Sequence, residues 1–593
     1  MKRLLSPATR SFALLLLLGL LTGLIEGGYL ALQQRVLHHL TFASVDALWM
    51  APVAYALLFG LLAVPAALLA RLAPGWCTTR VILGLGLTIV TFSLLLLWTG
   101  LLLSVYALML MSVGVGVQLG RMLAPLVERH QRRLLPLTAM LLCLTGAVAL
   151  AMIAGERWRR SSGADSATLA SAASPNVLLV ILDTVRAASL GLYGYERPTT
   201  PRLEEFAKGG VVFDSAYTVA PWTLPSHASL FTGLYHQDLS TDWLTPLDGV
   251  PRTLAEAFGA GGYATGGFVG NLPYTGRESG LARGFDTYRD HKLTPLQLFL
   301  SSTLFGTVRE WWLFGNRRAH RDDDRKEGPR VTAEFLSWLD QRGPSPFFVF
   351  LNYFDAHLPL PGIPSGSAWD SGRRKLDIYD GAIARLDGYM GAMLDSLAAR
   401  GVLDQTLVII VSDHGTLLGE HGLTAHGNSL YQILLHVPLV IRGPGVPAGL
   451  RVGTPVSLRD LAETVRHTAG LAQAAPFPGR SLQPLWQSQP AGPLSPLLAQ
   501  VRKGVKAPPQ EPIRLGTMTS LILNGQHYVL GGRGKEELFD LGRDPAEDHN
   551  LAPEAGSLSV LDELRDSLRT LKHPGWAGAP EVPLHGTPGA PGS

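Results

Sequence analysis

Cysteine is almost absent: the 593 residues contain two, Cys77 and Cys143, both in the N-terminal quarter. Cys77 lies between two apolar runs and Cys143 inside another, so the long polar remainder has no disulfide and no thiol chemistry. Net charge is also small, +3, and no basic patch is interleaved with aromatics, which excludes nucleic acid as a partner. Charged residues make up only 16% of the chain, and they are rare in the first 154 positions, where Leu, Ala, Val and Gly dominate.

Five apolar runs fill that N-terminal stretch: Ser11–Leu32, Ala47–Ala70, Val81–Trp98, Leu101–Leu119 and Leu134–Ala154. Each has the roughly 17–25 residues needed to cross a bilayer as a helix. The third and fourth are interrupted only at Thr99-Gly100, and about 40 apolar residues are too many for one span, so a tight hairpin is expected there. Lys2, Arg3, Arg10, Arg71, Arg80, Arg121, Arg129, Arg132 and Arg133 all fall on one side of a five-span arrangement, which marks that side as cytoplasmic. Arg157, Arg159 and Arg160 run against this pattern. The expected product is an integral, multi-pass membrane protein whose remainder is extracytoplasmic. The first run lacks the small-residue cleavage pattern of a removable signal peptide. Glu26 inside it is costly in lipid unless it contacts a partner, a lipid headgroup or a neighbouring helix.

Residues 155–175, rich in Ser, Ala and Gly at their end, are read as a flexible linker. Beyond them, buried-strand runs alternate with helical segments. Asn176–Leu182, Phe347–Tyr353 and Leu407–Val411 are continuous apolar strands, joined by Val211–Tyr217, Tyr263–Val269 and Val437–Ile441. Pro201–Lys208, Leu254–Phe258 and Asp377–Arg400, stopped by Gly401, read as helices. This alternation predicts an α/β fold with a mostly parallel sheet, a catalytic core over 176–450, a C-terminal subdomain over 451–573 and a Pro/Gly-rich tail over 574–593. Leu293–Phe314, with Trp311-Trp312, is an apolar insertion that reads either as a lid at the membrane surface or as core helices.

The three strongest strands each end in polar residues: Asp183, then Asp355 and His357, then Asp413-His414. Strand carboxyl ends are where open α/β sheets build sites. Carboxylates with an imidazole suit Zn²⁺ or Mn²⁺ better than Ca²⁺. His421, His426 and His436 follow closely. In Pro221–Gly233, Ser226 is read as the cap of a short helix, with the Thr223 hydroxyl at its mouth, where an anion is favoured and a metal could activate attack.

The segments NVLLVILDTVRAASLGLYGYERPTTPRLEEFAKGGVVFDSAY, TLPSHASLFTG, NYFDAHLP, VSDHGTLLGEHG, VPLVIRGPG and ELFDLGRDPAEDHNL occur in the order found in sulfatases, over roughly Pro175 to Leu551. The resemblance implies the alkaline-phosphatase-like fold and a C-terminal subdomain carrying a short antiparallel sheet. It also implies one divalent metal, held by Asp183, Thr223, Asp413 and His414, with Thr223 as nucleophile and His227, His357 and His426 serving the ester oxygens and leaving group. No organic cofactor is implied.

The departures are informative. Sulfatases carry a cysteine or serine, converted to formylglycine, where this chain has Thr223; His227 replaces an expected Arg, and His426 an expected Lys. Asp183-Thr184 and Asp413-His414 stand where sulfatases often have paired aspartates and an Asp-Asn pair, and the Lys and His expected near Gly270-Asn271 have no counterpart. A Thr nucleophile behind five spans also resembles the phosphoethanolamine transferases and lipoteichoic acid synthases. The expected function is therefore metal-dependent cleavage or transfer of a phosphate or sulfate ester, lipid-linked or on an envelope glycan, outside the cytoplasm. A formylglycine-independent sulfatase, a phosphoethanolamine or phosphoglycerol headgroup transferase and an inactive membrane scaffold are the alternatives.

Overall fold

The structure, a computed structural model, describes residues 5–571 except 74, 77, 100–102, 163–173, 292–297, 300–301, 308–324, 359–371, 472, 488–494 and 505–506. Cys77, Trp311-Trp312 and the 574–593 tail therefore lie outside the described residues. The chain divides into two compact units: one holds residues 1–159 with 291–319, the other 160–290 with 320–579.

Among the described residues five helices are long and apolar enough to cross a membrane: α1 (Pro7–Arg35), α2 (Ala47–Leu72), α3 (Thr79–Thr99), α4 (Val105–Arg129) and α5 (Leu134–Ser162). The third helix ends at Thr99 and the fourth begins at Val105. The fourth helix starts later than the apolar run and continues past Leu119 to Arg129, because apolarity marks only the stretch that suits lipid, whereas Met122, Leu123, Ala124, Leu126, Glu128 and Arg129 are good helix formers that carry the helix through Pro125. For the same reason α5 continues to Ser162, into the stretch read as linker. Gly19, Gly23 and Gly27 line the face of α1 against α2, where a Cβ on Gly23 would lie 2.3 Å from the Pro52 backbone. Such small-residue stripes let apolar helices approach closely. The approach places the Tyr55 hydroxyl 2.8 Å from a carboxylate oxygen of the fully buried Glu26, so the acidic residue of the first span meets a neighbouring helix.

The second unit is built on an eight-stranded sheet. In chain order its strands and their neighbours are β1 (Asn176–Leu182), β2 (Val211–Phe213), β3 (Ala216–Tyr217), β4 (Ala264–Val269), β5 (Thr287–Arg289), β6 (Phe347–Tyr353), β7 (Thr406–Val411), β8 (Leu417–Leu418), β9 (Thr424–Ala425), β10 (His436–Val437), β11 (Leu439–Arg442), β12 (Leu450–Val452) and β13 (Val456–Ser457). The large sheet runs β12-β2-β11-β7-β1-β6-β4-β5, and among the described residues only β11 opposes the common direction. All residues of β1, β6 and β7 are buried, as expected of apolar strands covered on both faces.

Two strand expectations change. Val211–Tyr217 is not one strand: it breaks at Asp214-Ser215, and β3 joins β10 and β13 in a separate small sheet. Val437–Ile441 likewise divides at Pro438, which has no N–H to donate to a ladder. Helices α6 (Pro201–Ala207), α7 (Thr223–Thr232), α8 (Gly328–Gln341) and α9 (Gly372–Ala399) belong to the same unit. Val331 and Phe335 of α8, and Tyr379, Ile383 and Leu386 of α9, share one apolar core with Leu178, Val180 and Val349 of the sheet. A four-stranded antiparallel sheet, β14 (Leu497–Val501), β15 (Met518–Leu523), β16 (Gln526–Leu530) and β17 (Glu536–Asp540), follows and packs on α10 (Leu558–Leu571).

Candidate metal centre and nucleophile

Four adjacent strands, β7-β1-β6-β4, deliver Asp413-His414, Asp183, Asn352 and Asn271 at or just beyond their carboxyl ends. Parallel register makes those ends level, so side chains far apart in sequence meet at one sheet edge. Among the described residues Asp183, Asp413 and His414 form a buried group whose ligand-type atoms lie within 4.8 Å of one another.

The backbone there is held in an uncommon shape. Thr184, β-branched, has φ of +62°, a conformation that costs about 1–3 kcal/mol and persists only where its surroundings impose it. The Thr184 N–H donates to Asp413 Oδ1 at 3.0 Å, and the Tyr379 hydroxyl donates to its carbonyl at 2.7 Å. Arg186 ties this turn to the loop after β7 by donating to Glu420 at 2.5 Å. Gly415 is required beside His414, because a Cβ there would sit 2.1 Å from the Ile433 carbonyl.

Thr223 is the first residue of α7, with Trp222 at the N-cap. Ser226, expected to cap this helix, instead lies inside its first turn, and its hydroxyl donates to the Asp413 carbonyl at 2.7 Å. The helix therefore begins four residues earlier than a cap at Ser226 implies, with Pro225 tolerated because first-turn amides need no intrahelical acceptor. Thr223 Oγ1 lies 3.3 Å from His414 Nε2. His414 Nδ1 donates to the Gly415 carbonyl at 2.9 Å, which leaves the Nε2 lone pair facing Asp413 Oδ2 (3.3 Å) and the Thr223 hydroxyl.

Two carboxylate oxygens, Asp183 Oδ1 and Asp413 Oδ2, are buried without a hydrogen-bond donor. Buried ionised oxygens are rarely left this way without a cation. With an imidazole lone pair and a hydroxyl beside them, the donor set fits one divalent ion of the Zn²⁺ or Mn²⁺ type. Without it, burial holds both carboxyls above the ordinary range, and the Asp413 charge adds to the effect on Asp183. The sign for stability follows: the folded protein keeps protons that the unfolded chain releases near pH ~4. The contribution of this pair is thus fully present below that pH and is lost as pH rises through the raised folded values. Melting of the full-length, metal-free protein in detergent should show stability declining from acid toward neutral pH, and a Zn²⁺-induced gain that grows over the same interval.

Asp183 Oδ2 is satisfied by two residues that the sequence reading missed. Asn271 Nδ2 donates to it at 2.9 Å and Asn352 Nδ2 at 3.3 Å. Asn352 Oδ1 accepts from the Gly270 and Asn271 amides at 3.2 and 2.8 Å, and its Nδ2 also faces His227 Nε2 at 3.4 Å. The detectable signal was an Asn one residue before the end of an otherwise apolar strand, in FFVFLNY. Asn352→Ala should cost about 1–3 kcal/mol by stranding the buried Asn271 amide, and weaken metal binding roughly 10–100-fold. Thermal melting and metal titration would measure the two effects.

The remaining sequence-chosen residues divide. His227 is fully buried; its Nδ1 donates to the Thr223 carbonyl at 2.8 Å and lies 3.5 Å from Asp413 Oδ2, and burial lowers its pKa to about 3. Both its ring nitrogens are thus engaged inside the protein. His426 stacks obliquely on His414 with centroids 4.5 Å apart, and its Nε2 lies 3.1 Å from that of His357, so three imidazoles form a chain leading away from Thr223. Burial, followed by the neighbouring imidazoles, holds His426 well below the usual range. Trp222, with Trp243 at 4.0 Å and Tyr274 at 4.8 Å, continues this wall. Asp355 instead caps α8, accepting from the Gly328 amide at 2.9 Å. His421 stacks on Tyr431, and His436 contacts the Asp214 carbonyl, both outside this cluster.

A family model for sulfatases matches residues 175–471, half of the chain. The chain belongs to the sulfatase family. This sulfatase is 25% identical over 447 residues to the uncharacterized sulfatase YidJ of Escherichia coli K12, covering 66% of the present chain and 86% of that protein. It is 27% identical over 391 residues to human arylsulfatase K, covering 58% and 70%. Among solved structures, the phosphonate monoester hydrolase of Agrobacterium radiobacter superposes with a TM-score of 0.53 at 22% identity, covering 67% of this chain and 95% of that one. A putative sulfatase from Bacteroides thetaiotaomicron gives 0.54 at 19%, covering 67% and 92%. The structural likenesses establish the alkaline-phosphatase-like sulfatase fold of the second unit, and the family match makes the chain a sulfatase-family enzyme.

Proposed function

We propose that this sulfatase family member is a membrane-anchored metalloenzyme that cleaves or transfers phosphate or sulfate ester groups outside the cytoplasm, with Thr223 as nucleophile. The observation that carries this reading is the Thr223 hydroxyl at the first turn of α7, 3.3 Å from His414 Nε2 and beside two buried carboxylate oxygens without donors. A divalent cation held by Asp183, Asp413, His414 and Thr223 would lower the pKa of that hydroxyl and draw charge from the ester oxygens. Thr223 Oγ, having released its proton to solvent on binding that cation, then forms a bond to phosphorus or sulfur as the bond to the leaving alcohol oxygen breaks. His357, at the far end of the imidazole chain, gives that oxygen its proton. His426 is held neutral beside it, and His227 orients Thr223 and Asn352. Water or an acceptor hydroxyl, giving its proton to His357, then breaks the bond to Thr223 Oγ and regenerates the side chain.

Phosphoryl chemistry is the favoured branch. A formylglycine hydrate expels sulfate by collapsing to an aldehyde, a route closed to a threonine ester, whereas displacement at phosphorus is an ordinary second step. Matched aryl phosphate, phosphodiester and sulfate esters given to the metal-loaded, full-length protein test this. Thr223-dependent turnover of a phosphate ester is expected; sulfate turnover about tenfold above both phosphates would reverse the assignment. Diester cleavage that leaves a headgroup phosphate on Thr223 would assign a headgroup transferase.

The membrane placement rests on the nine basic residues on one side of the five helices. A reporter active only outside the cytoplasm should work when fused after Gly163 and fail after Arg133. The opposite pattern would put the site in the cytoplasm and remove envelope substrates.

A further inference from the structure

The excursion between β5 and α8 carries described residues that meet Glu26 of α1. Residues 291–319 count with the first unit although both flanks belong to the second. Among its described residues, Thr303 donates to Glu26 Oε1 through its N–H at 2.7 Å and its hydroxyl at 3.1 Å, while Tyr55 holds Oε2. Leu304 is buried in the same apolar cluster as Leu20, Tyr55 and Phe59 of α1 and α2. Both contacts lie toward one end of the helices: Glu26 is nine residues short of Arg35, and Tyr55 eight past Ala47, about 12–14 Å of helix in each case. By the basic-residue pattern that end is extracytoplasmic. An ionisable group inside a span is costly, and here that cost is reduced by Tyr55 and by two donors from Thr303, 277 positions away.

The roots of the excursion lie at the candidate site. Lys326 Nζ donates to the carbonyl of Arg289, the last residue of β5, at 2.7 Å and so clasps the departing and returning chain. The Lys326 amide donates to the Gly270 carbonyl at 2.9 Å, and Arg325 pairs with Asn271, whose side chain holds Asp183. The Arg325 guanidinium lies over Phe354 at 4.8 Å and reaches the His357 carbonyl at 3.5 Å. The returning strand is therefore stitched to the backbone that carries one support of the metal group and the proposed proton donor.

From this we infer that Thr303 and Leu304 anchor the chain between β5 and α8 to α1 and α2, that this chain leaves and re-enters at the candidate site, and that the substrate class is an ester carried on a bilayer lipid. The inference rests on the ester chemistry proposed above. An enzyme for freely diffusing esters needs one attachment to its membrane helices at most; a second attachment that starts and ends at the site suits an ester that is itself confined to the bilayer surface.

The test uses the full-length, metal-loaded protein in nanodiscs and one reactive headgroup in two forms, on a short water-soluble alcohol and on a diacyl lipid in the disc. Wild type should favour the lipid form by about tenfold or more in kcat/KM. Glu26→Ala and Thr303→Pro, the latter tolerable in a first helical turn, should bring the ratio near unity while leaving the soluble ester within about twofold. In a background of Cys77→Ser and Cys143→Ala, Leu304→Cys should resist a membrane-impermeant maleimide and become reactive when Glu26→Ala is added. Equal use of both forms by wild type, equal loss on both in Glu26→Ala, or labelling of Leu304→Cys as fast as Val250→Cys, an exposed reference position in the second unit, would each overturn the inference. Turnover of neither form overturns the ester reading and this inference with it; turnover of the soluble form alone overturns the inference only.

Discussion

Asp413→Ala should lower turnover of any accepted ester by roughly a thousandfold or more and remove most bound metal. The two Asp413 oxygens have different duties, and this separates the effects. Oδ1 accepts from the Thr184 and His414 amides, which fixes the strained turn after β1 and the orientation of the imidazole. Oδ2 has no donor and faces His414 Nε2. Alanine removes both, so it should also destabilise the fold by stranding two buried amides, about 1–3 kcal/mol each. Asp413→Asn keeps the Oδ1 acceptor and deletes the charge; it should melt close to wild type or above it when metal-free at neutral pH, yet bind metal weakly and turn over little. Elemental analysis beside a melting curve distinguishes the cases. If wild type carries less than about a tenth of an equivalent of metal, with no recovery on adding Zn²⁺ or Mn²⁺, the inactive-scaffold alternative gains instead.

How far the sequence disclosed this site depends on the physical signal each residue leaves. Asp183 and Asp413-His414 follow seven- and five-residue apolar runs, and a charge ending a buried strand is conspicuous because the parallel sheet forces such runs to be apolar. Asn352 and Asn271 left almost no trace: an amide is neutral, fits in a strand or helix cap without disturbing the pattern, and acquires meaning only when β4 and β6 pair. The start of α7 was misplaced because Ser226 is a strong capping type, whereas its hydroxyl is used across the fold by Asp413 and Thr218. His227 was legible as chemistry but not as position, since its engagement by Thr223 and Asn352 depends on that helix start. Glu26 was legible as an oddity in its span; its partner, 277 residues away inside an ambiguous insertion, was not.

Thr223→Ala should abolish turnover while leaving most of the metal in place. A neutral hydroxyl is the weakest of the four donors, and the three buried ionisable ligands, Asp183, Asp413 and His414, are untouched by the change. Their supports are untouched as well: Asn271 and Asn352 on Asp183, the Thr184 amide on Asp413, the Gly415 carbonyl on His414. Loss of activity with metal retained is thus the signature of a lost nucleophile, whereas Asp413→Ala loses both. Thr223→Ser keeps the hydroxyl at the head of α7 and should restore part of the rate, the missing methyl costing rotamer definition rather than chemistry. Intact-mass measurement of wild type quenched during turnover should reveal one adduct, mapping by peptide analysis to Thr223 and absent from Thr223→Ala. A phosphate adduct would identify the group transferred, and a larger one retaining an alcohol would mark a headgroup transferase. If Thr223→Ala keeps turnover within about tenfold of wild type, or the adduct maps elsewhere, the nucleophile has been assigned to the wrong residue.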